Sequence, residues 1–133
     1  KMQVVNANNG ILTNIEVLEL LKERRNRKVD DTNYSMTIEL QNREYIEKKT
    51  IDYIKSTYLK DKSLDSMKEC VKALMDPQFN LTEAEIVQII NTCPQSDVEF
   101  YLIIEDCSDR LDEDQMSRIK EITEFMMADP VAE

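Results

Sequence analysis

Three thiols, Cys70, Cys93 and Cys107, are the side chains of this 133-residue chain best suited to nucleophilic or metal chemistry, and their spacing argues against both. They stand 23 and 14 residues apart with no C-x-x-C pair, which fits neither a zinc site nor a disulfide framework. Reduced thiols that each fill a small apolar space, as in cytosolic and nuclear proteins, are the expectation. The chain has no histidine, so the commonest general base at neutral pH and the commonest metal ligand are both missing. It has one glycine, Gly10, and glycine-rich phosphate loops and β-barrels both need more backbone freedom than that. Neither catalysis nor a bound cofactor is expected.

Two charged runs could still bind something. Residues 22–28, KERRNRK, put five positive charges at the end of a helical pattern. They either complement the helix dipole and solvate that end or contact RNA or phosphate. Residues 105–115, EDCSDRLDEDQ, are acidic enough to suggest calcium, yet they lack the glycine and the final glutamate of an EF-hand loop. A junction between two helices explains them better. Residues 1–60 hold 11 Lys and Arg against 9 Asp and Glu, whereas residues 61–133 hold 6 against 18. A half this acidic repels a phosphate backbone, so direct nucleic-acid binding is not expected. It reads either as a solvated surface or as a docking face for a basic partner.

The elements that carry these residues are helical. Thr13 with Glu16, Thr82 with Glu85, Ser96 with Glu99, and Asp112 with Gln115 each place a capping side chain three positions before a Glu or Gln, the spacing of a capping box. Leu81 with Ile86 and Leu111 with Met116 add the spacing of a hydrophobic staple to two of these starts. The first helix offers two apolar stripes, Ile15, Leu18 and Leu21 or Val17, Leu20 and Leu21. Further stripes run through Tyr45, Ile46, Ile51, Ile54 and Tyr58, through Leu64, Met67, Val71 and Leu74, through Ile86, Ile89 and Ile90, and through Met116, Ile119, Ile122 and Met126. Residues 98–104 are apolar nearly all round, which predicts that a helix at 97–107 is the buried centre. Residues 29–36 are polar and aperiodic and read as a loop. No apolar run approaches the length of a membrane span, so a soluble protein with no membrane partner is expected.

The first residues do not fit a helical chain. Residues 2–5, MQVV, read as a β-strand followed by a turn-prone NANNG, and nothing downstream reads as a second strand. A lone strand leaves its amides and carbonyls unpaired, so it is either disordered or added to the sheet of another protein. The expectation is a second polypeptide that covers Met2, Val4 and Val5 together with the stripe Val17, Leu20 and Leu21; Leu12, between them, is assigned to the same surface.

These residues also carry a resemblance. The pattern Leu12-Thr13-Asn14-x-Glu16-Val17-x-x-Leu20-Leu21, then Leu81-Thr82-x-Ala84-Glu85, Pro94, Ile104-Glu105-Asp106 and Arg110-Leu111, resembles the small stalk subunits of RNA polymerase III, also called calcitonin-gene-related-peptide receptor component. It is similar more distantly to the fourth subunit of RNA polymerase II and to the archaeal counterpart of that subunit. The resemblance implies an all-α multi-helix bundle with a short partner-paired N-terminal strand. Residues 1–28 would bind the partner, 29–37 would form a loop, and 38–133 would form a domain like that of RecQ-type helicases and RNase D (HRDC-like). It implies a non-catalytic, nuclear subunit in an obligate heterodimer with a larger stalk subunit that carries an oligonucleotide-binding barrel. That dimer would contact the polymerase III core and initiation factors and help to start the synthesis of small RNAs such as tRNA and 5S rRNA. Two other roles attach to the same resemblance: an adaptor that couples a peptide-hormone receptor to its effectors, and the equivalent stalk subunit of RNA polymerase II.

Overall fold

The computed structural model describes residues 3–7, 9–30 and 38–127. Among them are the helices α1 (Asn14–Asp30), α2 (Ile38–Lys55), α3 (Leu64–Leu74), α4 (Glu83–Thr92), α5 (Asp97–Ile103), α6 (Cys107–Arg110) and α7 (Glu113–Met127). The fold is all-α, and no described residue lies in a β-strand.

Local chemistry starts these helices where the sequence marks them. Thr13 Oγ1 accepts from the Glu16 amide at 3.3 Å while the Thr13 amide donates to the Glu16 carboxylate at 3.4 Å. Thr82 with Glu85 and Ser96 with Glu99 close complete capping boxes at α4 and α5. Asp112 and Gln115 exchange the same two bonds at α7, at 2.7 and 2.9 Å. Ser63 adds a cap at α3 that lacks the Glu or Gln signature and so goes unmarked in the sequence. Both residues of each expected staple pack in or against the core.

One apolar cluster runs through the molecule. α3 packs against α7 and α4, and α1 packs against α2 and α3. Into this cluster go Ile15, Leu18 and Leu21 of α1, Ile51 and Ile54 of α2, Met67, Cys70 and Leu74 of α3, Ile86, Ile89 and Ile90 of α4, and Met116 and Ile119 of α7. Of the two stripes available on α1, the chain therefore buries Ile15, Leu18 and Leu21 itself. The Tyr58 hydroxyl, just past α2, donates to the Ile90 carbonyl of α4. α1 also continues through Asp30, two residues into the stretch expected to be a loop.

The helix at 97–107 is not the buried centre. α5 ends at Ile103, Ile104 turns to extended backbone (φ −115°, ψ 120°), and Asp106 adopts left-handed backbone (φ 50°) before α6 begins. Phe100, Ile104 and Cys107 enter the core, while Val98, Tyr101 and Leu102 face outward, Leu102 at 79% exposure. A seven-residue helix packed mainly on α4 and α6 has one face to bury, so its remaining apolar residues stay outside.

Candidate partner-binding surface

The start of α1 is tied to the body at two points. The Thr13 hydroxyl donates to Met67 Sδ of α3, 2.9 Å away, and the Asn14 amide donates to Asn91 Oδ1 at the end of α4, 2.9 Å away. Gly10 just upstream has φ 121°, a conformation that glycine adopts at little cost, and a Cβ there would meet nothing within 4 Å. The backbone conformation, not crowding, is what calls for glycine at this turn. Before it, Val4 is 81% and Val5 98% exposed. After it, Ile11 is 45% and Leu12 50% exposed, and Leu20 on the outer side of α1 is 38% exposed.

Two grooves open beside this segment. One, of about 410 Å³, is lined by Ile11, Val71, Met75, Leu81, Ile86 and Val87 among others, between the start of α1 and the α3–α4 pair. The other, of about 480 Å³, is lined by Leu12, Leu20 and Leu64 with the carboxylates of Glu16, Glu19 and Glu23. Glu16 borders both. Val4, Val5, Leu12 and Leu20 are therefore all open apolar residues, and Leu12 and Leu20 line one groove. Of the other residues expected on that surface, Val17 is half-buried against the core and Leu21 lies inside it. Met2 lies outside the described residues.

The second half carries a clamp that the sequence does not announce. Arg110 donates from Nη1 to Glu85 Oε1 at 2.6 Å and from Nη2 to Glu85 Oε2 at 2.8 Å. The same guanidinium reaches the Glu105 carbonyl at 2.9 Å and the Asn80 carbonyl at 3.1 Å. Asn80 and Asp106 are both left-handed, so one side chain bridges two tight corners in addition to the backbone hydrogen bonds each makes. The Arg110 bonds, against some cost of burial, hold the Glu85 carboxyl below its usual range. Glu85 and Arg110 each stand in the pattern that carries the resemblance, but 25 residues separate them and nothing local pairs them.

The remaining candidates do structural work. All three cysteines are buried and free. Burial pushes the Cys70 thiol up to about 11 and raises Cys93 and Cys107 as well. An aromatic disulfide reagent should therefore label none of them in the folded protein on the timescale on which it labels the denatured chain, because reaction needs thiolate and access. Rapid labelling of one thiol without denaturant would show that its helix opens locally. In the basic run, Lys22 pairs with Glu19 at 3.5 Å, Arg24 with Glu47 of α2 at 3.5 Å, and Arg27 with Glu23. No described group of Cys, Asp and Glu could hold a metal ion, and no described helix is long and apolar enough to cross a membrane.

Among the described residues the chain is a small helical body on one apolar core, with exposed apolar side chains in its N-terminal segment and no group that could hold a metal ion. The chain belongs to the RNA polymerase Rpb4 family, which matches residues 11–125. It is similar to "DNA-directed RNA polymerase III subunit rpc9" of Dictyostelium discoideum, with 34% identity over 116 residues that cover 84% of this chain and 80% of that protein. It is also similar to the protein of the same name from Schizosaccharomyces pombe, with 29% identity over 128 residues that cover 90% of this chain and 95% of that protein.

Proposed function

We propose that this chain is the small, non-catalytic stalk subunit of a nuclear RNA polymerase III, which holds the larger stalk subunit through its N-terminal segment and so supports initiation on small-RNA genes. The observation that carries the docking role is the exposure of Val4, Val5, Leu12 and Leu20, apolar residues of the N-terminal segment and of α1. Relatives named as polymerase III subunits along nearly the whole chain support the assembly. An extended segment gains main-chain hydrogen bonds when it joins the edge of a partner sheet, and the two grooves beside α1 can take side chains from the same partner.

Binding of the larger stalk subunit should protect the amides of residues 3–5 from hydrogen exchange, and those amides should exchange fast in the isolated chain. Leu12→Asp with Leu20→Asp should weaken that binding by about 2–4 kcal/mol, because each carboxylate would be desolvated without a partner. The double variant should still melt like the wild type, since both positions are open to water. Wild-type affinity in that variant would place the partner elsewhere on the molecule. A tagged chain that copurified membrane receptors and no large polymerase subunit would overturn the assignment.

A further inference from the structure

The outward face of α5 is apolar without need. Val98, Tyr101 and Leu102 share one side of this helix at i, i+3 and i+4 positions, opposite Phe100, which is wholly buried. Three apolar side chains grouped on one exposed face and rimmed by polar residues have the form of a protein contact. The rim is specific here. Asp97 and Glu99 flank the stripe on the helix itself, and Glu105 and Asp106 come past its end, after the buried Ile104. Between residues 97 and 114 stand eight carboxylates and one cation, Arg110, and that cation is already held by Glu85. Lys120 of α7 reaches Asp97 at 2.7 Å, so one rim carboxylate has a cation; Glu105 and Asp106 form no ion pair with a described residue.

We propose that this face docks a protein segment whose apolar side chains are flanked by Lys and Arg. The apolar stripe supplies the contact area, Tyr101 supplies a ring with a polar tip suited to an interface, and the carboxylates select a basic partner and speed its approach. The same charge disfavours the other occupants. RNA and anionic lipid would meet like charge, and a second copy docked by two-fold symmetry would set one acidic rim against another. Three outward side chains make a small contact, of the kind used in transient association. The site is separate from the N-terminal surface, so its failure leaves the stalk assignment standing.

The test uses the full chain and two labelled helical peptides with the same leucine stripe, one with lysine and one with glutamate on its polar face. Fluorescence anisotropy should show the Leu/Lys peptide bound at least about tenfold tighter than the Leu/Glu peptide, with affinity falling as salt rises. Val98→Ser with Leu102→Ser should weaken Leu/Lys binding by about tenfold or more while the thermal melt stays unchanged. Glu105→Gln with Asp106→Asn should weaken it too and flatten its salt dependence; asparagine suits the left-handed backbone at 106. Hydrogen exchange should place the bound Leu/Lys peptide on α5. Equal binding of the two peptides, indifference to the serine pair, or protection confined to the grooves beside α1 would each overturn the proposal. So would self-association of the wild type that the serine pair abolishes, because the occupant would then be a second copy.

Discussion

Phe100→Ala should cost about 3–5 kcal/mol of folding stability, while Leu102→Ala, two positions further on, should change it by less than about 0.5 kcal/mol. The contrast follows from which way each side chain points on one short helix. Phe100 is fully buried, with the Lys120 ammonium 5.8 Å from its ring centre, and its removal opens a cavity between α5 and the body that the neighbouring helices can only partly fill. Leu102 loses water-exposed surface and no packing. Chemical denaturation of the two variants against the wild type decides the matter through the transition midpoints at constant slope. A large loss from Leu102→Ala with a small one from Phe100→Ala would mean that α5 is turned the other way, and the proposed docking face would lie inside.

Arg110→Ala should be the costliest polar change in the chain, at about 2–4 kcal/mol. The substitution leaves the Glu85 carboxylate, only 8% exposed, with the Thr82 amide at 2.9 Å but without its counter-charge. It also frees the Asn80 and Glu105 carbonyls at two left-handed corners. Arg110→Lys should recover only part of the loss, since an ammonium cannot reproduce the two-pronged bond to the carboxylate together with both carbonyl contacts.

The pair also sets a pH dependence with a definite sign. The folded Glu85 carboxyl titrates below its ordinary value of 4.5, so the stability it contributes is present above that pH and is lost as the pH falls through the lower, folded value. Wild-type stability should therefore decline below about pH 4.5 more steeply than that of Glu85→Gln, which has no proton to take up there. Parallel pH profiles for the two proteins would show that the clamp is not formed in solution.

The helix starts were legible because a capping box is a local object: two residues three apart satisfy each other's amides wherever the rest of the chain goes. Thr13, Thr82, Ser96 and Asp112 each begin a helix for that reason, and the all-α class follows from those starts and the apolar spacing behind them. Buried cysteines were legible too, since unpaired thiols at irregular spacing have little else to do than pack.

What lay beyond the sequence were choices between faces and contacts between distant residues. On α1, Ile15 with Leu18 and Val17 with Leu20 are both apolar pairs at helical spacing, and periodicity alone does not say which stripe is turned inward. Packing on α2 and α3 decides it, and places Leu21 in the core while Leu12 and Leu20 stay open. On α5, an all-round apolar run read as depth, but depth depends on how many neighbours surround a helix; this one ends after seven residues at Ile103 and rests mainly on α4 and α6. The left-handed corners at Asn80, Cys93 and Asp106 lack the glycine that would have marked them. Arg110 and Glu85 meet only because those corners fold back, which brings together two charges that 25 residues of chain keep apart. Local hydrogen bonding determined where helices begin; the single shared core decided which of their faces stayed open.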